Sequence, residues 1–281
     1  MNYITVLPIF FVSGDKPPML IRDRLVHIIA FAAGLLAWGQ MLPAAAQSGA
    51  PDRVINVAVA ANFTQTLSEL AKDFARHGGT RVVISSGSTG KLYAQIRAGA
   101  PYDIMLSADS ATPRLLVAQG MAFADSRFTY ARGKLVLWSH SPTLVDKQGA
   151  VLGSGDFRHL AIANPKTAPY GAAARAALQH LGLWQSVKAR IVEGEDIGQT
   201  FQFADSGNAE LAFVALAQVQ DPYRPTGGSY WIVPSDLYPP IDQQAVLLKR
   251  AKDNSAARAF LKYLRSPAAM AVMHHFGYGT D

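Results

Sequence analysis

The chain has no cysteine in its 281 residues. That excludes disulfides and thiolate-ligated metals. Charge is also scarce: Asp, Glu, Lys and Arg make up 16% of the residues, and the formal net charge of +6 is spread thinly. No cluster of Lys and Arg is interleaved with aromatics, so nucleic acid is not an expected partner. Two catalytic motifs are near misses. A phosphate-binding P-loop needs Gly, four residues, then Gly-Lys-Ser/Thr. Here Gly90-Lys91 is followed by Leu92, and Ser85 stands in place of the first glycine. A nucleophile elbow needs Gly-x-Ser-x-Gly, and Gly87-Ser88-Thr89-Gly90 is one residue too short.

What is abundant is apolar residues, 49% of the chain, enough for one large domain or two small ones. The N-terminus reads as a targeting segment. Arg22 and Arg24 precede an apolar run from Leu25 to Trp38, and Ala44-Ala45-Ala46 supplies a small-residue cleavage site before Gln47. The run is shorter than the ~20 residues that span a bilayer, which favours a cleaved signal over an anchor. Residues 1–46 are therefore assigned as a signal peptide. Met19 offers a second start, which would leave residues 1–18 untranslated.

The mature chain is organised around Ser85-Ser86-Gly87-Ser88-Thr89-Gly90-Lys91. A β-branched run, Arg81 to Ile84, precedes it, and a helical pattern through Leu92 and Ile96 follows. The first turn of a helix has N–H groups with no internal partner and the positive end of the helix dipole. Glycines let an anion approach that backbone, and Ser or Thr adds hydroxyl donors. An anion cradle is one reading of the stretch. An ordinary N-capped helix after a turn is the other, since Ser and Thr are preferred there anyway.

Strand and helix alternate along the rest. Residues 54–60 read as a strand. Asn62 caps a helix carrying Phe63, Leu67, Leu70 and Phe74, and Asp103 to Ser107 leads through a buried strand to a helix begun by Asp109 and Pro113. The long extended run Phe128 to Trp138, with Gly133 in its middle, reads as a crossing into a second α/β series. Tyr238-Pro239-Pro240-Ile241 reads as a crossing back. The expected fold is two-lobed α/β, with mostly parallel sheets flanked by helices. Lobe 1 takes 52–130 and 242–281, lobe 2 takes 131–241, and a cleft lies between them. Ligands in such folds sit beyond the carboxyl ends of strands. Four strand-to-helix junctions qualify: Ala61-Asn62, Ser88-Thr89, Pro169-Tyr170-Gly171 and Asp196-Ile197. Apart from Asp196 they are uncharged, which suits a small oxyanion that needs no counter-charge.

These residues resemble the periplasmic molybdate-binding proteins of ABC importers over about 54–279. The resemblance rests on Ala60-Ala61-Asn62-Phe63, Gly87 to Leu92, Ala94-Gln95-Ile96 through Gly99 to Asp103, Ser107-Ala108-Asp109, and Asn164-Pro165 through Gly171. It implies a type II periplasmic binding fold that holds molybdate, and tungstate with it, between the lobes. It further implies that Ala61 or Asn62 and Ser88 or Thr89 face the ion from the first lobe, and Tyr170 and the backbone N–H of Ile197 from the second. Some relatives take a tyrosine hydroxyl near Ala215. This chain has alanine there and Tyr170 at the other helix start. Ala61 has no hydroxyl, so only its N–H can donate. The resemblance also implies a periplasmic location, a permease and its ATPase as partners, a monomer, and no cofactor or catalysis.

Rival readings are a receptor for sulfate or phosphate, or a transferase or hydrolase using the Ser88/Thr89 turn. The enzyme would need a base near that turn, and none is evident. Asp103 and Asp109 flank one strand without a His or nucleophile nearby. His274 and His275 diverge by about 100° on a helix and do not share a metal. If the N-terminal reading is right, the exported protein has an intact mass that starts at or near Gln47. A product that keeps the apolar run and fractionates with membranes would indicate an anchor instead.

Overall fold

The computed structural model describes residues 54–78 and 80–280, and the assigned signal peptide lies outside them. Two five-stranded mixed sheets form the frame. The first joins β1 (Val54–Ala60), β2 (Arg81–Gly87), β3 (Ile104–Ser107), β4 (Phe128–Gly133) and a late strand, Ile241–Leu247. The second joins β5 (Leu135–Ser139), β6 (Leu160–Ala163), β7 (Ile191–Gly194), β8 (Leu211–Ala215) and β9 (Ser229–Ile232). The late strand is β10. Strand order is β2-β1-β3-β10-β4 in one sheet and β7-β6-β8-β5-β9 in the other. In each sheet four strands run one way and one runs against them: β10, between β3 and β4, in the first, and β5, between β8 and β9, in the second. This is the two-lobed α/β architecture expected from the alternation of strand and helix.

The crossing run divides cleanly. Phe128–Gly133 pairs with β10 in the first sheet, Leu135–Ser139 pairs with β8 and β9 in the second, and Lys134 alone joins them. The chain returns through Val233 to Pro240. β10 starts earlier than its apolar pattern. Its apolar signal begins at Ala245, but the strand begins at Ile241. Asp242, Gln243 and Gln244 hid those first residues. Gln243 nonetheless lies fully buried, its Oε1 accepting from Asn62 and Tyr130 inside the first lobe.

The helices are α1 (Thr64–Gly78), α2 (Thr89–Arg97), α3 (Ala111–Ala118), α4 (Val151–Ser154), α5 (Pro169–His180), α6 (Trp184–Val187), α7 (Ile197–Asp205), α8 (Leu216–Val219), α9 (Ser255–Tyr263) and α10 (Pro267–His275). Their starts follow capping chemistry. Asp196 accepts from the N–H groups of Gly198 and Gln199, Asn254 from Ala257, and Ser266 from Ala269. Pro169 and Pro267 occupy first-turn positions, where a missing N–H is harmless. Amphipathic α1 buries Leu67 and Leu70 against Phe260 and Met273 of the last two helices and against the β1 valines. In the second lobe Leu160, Ile162 and Phe213 meet Ala174, Ala177 and Leu178 of α5. Gly171 permits that packing, since a Cβ there would lie 2.0 Å from the Ala163 carbonyl oxygen.

Loop 155–160 is tied to the turn before β8 by Glu210. Its carboxylate accepts from the N–H groups of Arg158 and His159 and from Arg158 Nε. Burial pushes this carboxyl up, but those donors outweigh it and bring its pKa from 4.5 down to about 2. A carboxyl depressed in the folded state stabilises the fold above its unfolded pKa. That stabilisation is lost as pH falls through the folded value. Part of the stability present at neutral pH is thus expected to disappear between pH 4.5 and about 2. In chemical denaturation across pH, Glu210→Gln should be less stable at neutrality and show a flatter decline over that interval.

Candidate functional site

The carboxyl ends of β1, β2, β6 and β7 point into the space between the two sheets, and each is followed by a helical turn there. Ala60, Ala61, Asn62, Gly87, Ser88, Thr89 and Ala108 line a small cavity from the first lobe. Ala168, Pro169, Tyr170, Asp196 and Ile197 line it from the second. A water molecule would fill it with little room to move. All six residues singled out in the sequence, Ala61, Asn62, Ser88, Thr89, Tyr170 and Ile197, meet at this one place.

Their side chains do different things. Ser88 precedes α2 in extended conformation but makes no cap bond with its side chain. Its hydroxyl is buried and has no partner within the protein. Thr89 Oγ1 instead accepts from the N–H of Ala108 at 3.1 Å, holding the turn after β3. Tyr170 is 2% exposed, and its hydroxyl also lacks a partner within the protein. Burial, with lesser repulsion from Tyr278, Tyr238 and Tyr130, raises this phenol well above its ordinary pKa, so it stays protonated and can donate. Each lobe therefore presents one unsatisfied hydroxyl to the same cavity.

Asn62 is not the helix cap that its position suggested. A 3-10 turn, Ala61–Phe63, intervenes before α1, and the Asn62 side chain points into the first lobe. Its amide donates to Gln243 Oε1 at 2.8 Å and to the Tyr278 hydroxyl at 3.1 Å. The Tyr278 hydroxyl donates in turn to the Asn62 carbonyl at 2.8 Å, and Tyr130 donates to Gln243 Oε1 at 3.3 Å. Both amide hydrogens of Asn62 are engaged, so it can offer the cavity only its backbone N–H. Gln243, Tyr278 and Tyr130 carried no local signal in the sequence, because they are brought to Asn62 by the tertiary fold alone.

Asp196 is the one charged residue in the lining, and its Oδ1 is taken up by the N–H groups of Gly198 and Gln199. The first N–H of α7, that of Ile197, is not among the groups it caps. The lobes also touch outside the cavity. The N–H of Gly90 donates to the Thr167 carbonyl at 2.9 Å, and Lys91 pairs with Glu195 at 2.5 Å. Lys91 thus bridges the mouth of the cleft and is not part of the lining. Asp103 receives the N–H of Asn56, and Asp109 receives that of Thr112, so both carboxylates serve local structure. His274 bonds the Tyr278 carbonyl and Thr280. Among the described residues no His, Asp and Glu cluster could hold a metal.

Two α/β lobes that enclose uncharged donors at helix starts are the architecture of a solute-binding protein. The chain belongs to the bacterial extracellular solute-binding protein family, which it matches over residues 55–279. It is 51% identical over 254 residues to the molybdate-binding protein ModA of Azotobacter vinelandii, covering 90% of this chain and 97% of that one. It is 45% identical to ModA of Rhodobacter capsulatus, covering 88% and 94%. A solved structure of the Azotobacter vinelandii periplasmic molybdate-binding protein superposes with a TM-score of 0.79 at 47% identity, covering 81% of this chain and 99% of that one.

An unpartnered buried hydroxyl costs ~1–3 kcal/mol. Ser88→Ala and Tyr170→Phe remove one each while keeping the packing. Thermal unfolding without ligand should show both variants at least as stable as the parent. Thr89→Val, which removes the acceptor for Ala108, should be about 1 kcal/mol less stable. A clear loss in Ser88→Ala would mean that its hydroxyl is bonded in the free protein.

Proposed function

We propose that the protein is a periplasmic receptor that captures molybdate between its lobes and delivers it to an ABC importer. One observation carries the reading: two buried hydroxyls, Ser88 Oγ and Tyr170 Oη, come from opposite lobes, lack partners in the protein and line one cavity. The backbone N–H groups of Ala61 or Asn62 and of Ile197 would complete the donor set. The cavity would widen to admit a dianion, which would be held by dipoles and helix starts with no cation in the lining. Tungstate has the same shape and charge and would bind as well. The names of the two ModA relatives and of the superposed structure support the same ligand.

The two lobes, each built on its own sheet, would part and close about Lys134 and about the Val233–Pro240 return. The Gly90–Thr167 and Lys91–Glu195 contacts would form on closure. The closed monomer would present both lobes to the permease and its ATPase, with no chemistry done on the ion. The N-terminal 1–46 segment would direct export.

Calorimetric titration of the mature protein tests this reading. Molybdate and tungstate should bind far more tightly than sulfate or phosphate, because a smaller ion cannot reach donors on both lobes at once. Equal affinity for sulfate would overturn the assignment. A hydrogen bond to a charged group contributes ~1.5–3 kcal/mol, so Tyr170→Phe should weaken molybdate binding roughly 10- to 150-fold.

A further inference from the structure

Gly133 ends β4, one residue before the chain passes into the second lobe. Its φ is not in the left-handed region where glycine has an advantage, so the backbone there would accept any residue. What it lacks is room. A Cβ at Gly133 would lie 2.1 Å from the Tyr170 hydroxyl oxygen, 2.9 Å from Tyr170 Cζ and 3.1 Å from Ile241 Cγ2. Neither side can easily withdraw. Gly133 is paired with Ile241 of β10. Its neighbour Arg132 is clamped by Gly279 through two backbone bonds, of 2.6 and 3.0 Å, and by Asp242 at 3.0 Å. On the other side α5 cannot slide, because Gly171 already packs against the Ala163 carbonyl. Of the groups that a Cβ would meet, the phenol hydroxyl is the nearest.

We propose that Gly133 is a positioning residue of the site: its missing side chain is the space that seats the Tyr170 hydroxyl at the cavity. This rests on the reading of Tyr170 as a ligand donor and deepens it. The glycine belongs to the first lobe and the phenol to the second, so the contact joins the two lobes. A methyl at position 133 would either turn the hydroxyl away from the ion or hold the lobes apart.

The test compares Gly133→Ala, Tyr170→Phe, Tyr170→Ala and the double Gly133→Ala/Tyr170→Ala, each checked for folding by its melting transition. Gly133→Ala should weaken molybdate binding about as much as Tyr170→Phe, roughly 10- to 150-fold. In the Tyr170→Ala background the same change should add less than about threefold, since the clash is gone. A hinge role without seating would give the same loss in both backgrounds and would overturn the proposal. If Gly133→Ala fails to fold, recovery of folding in the double variant supports the clash, and failure of both overturns it.

A second arm needs no ligand. With ring-labelled tyrosine, the Tyr170 resonance, identified by its absence in Tyr170→Phe, should shift in Gly133→Ala while those of Tyr130 and Tyr238 stay. Parental affinity together with an unmoved Tyr170 resonance would overturn the proposal alone. Parental affinity in Tyr170→Phe would instead remove the donor role on which it rests.

Discussion

Buried polar groups in a folded protein are almost always paired, because leaving one unpaired forfeits its hydration with nothing in return. The arrangement of this molecule turns on two of those that are not. Ser88 and Tyr170 each place a hydroxyl in the same cavity, and each comes from a different lobe. Regular secondary structure on either side fixes where they lie. Ser88 follows a seven-residue strand and begins a helix, and Tyr170 is in the first turn of a helix opened by proline. An oxyanion that accepts from both would satisfy in one step what the protein alone leaves unsatisfied, and would tie the lobes together.

The neighbouring groups explain why these two remain available. Thr89 is taken up by Ala108, the amide of Asn62 by Gln243 and Tyr278, and Asp196 by its own helix. The N–H of Gly90 reaches the Thr167 carbonyl of the other lobe. Every polar side chain of the lining other than those of Ser88 and Tyr170 is thus engaged in building the walls. The exposed Lys91–Glu195 pair stands at the rim, where solvent limits it to ~0–1 kcal/mol. It can favour closure slightly without competing for the ion.

The C-terminal residues matter more than their position suggests. Tyr278 holds the Asn62 turn through two hydrogen bonds, and Gly279 pairs with Arg132, next to the crossing strand's last residue. The end of the chain therefore braces both the first wall of the cavity and the point where the lobes join. The last two helices also complete the first-lobe core, so this bracing is continuous with the packing around Phe63.

Much was readable from local pattern. The alternation of strands and helices, the Ser/Thr-Gly turn after β2, the proline before Tyr170 and the acidic residue before Ile197 are short-range signals. Each follows from backbone sterics and capping chemistry, which a few neighbouring residues determine. What the sequence could not decide is which polar atoms are left over, since that depends on partners far along the chain. Asn62 lies 181 residues from Gln243 and 216 from Tyr278. Ser88 and Thr89 are adjacent and chemically alike, and only the position of Ala108 separates the free hydroxyl from the engaged one. Gly133 is legible as a break in an extended run. That its empty side faces the Tyr170 phenol arises only when two lobes, each folded around its own sheet, come within contact.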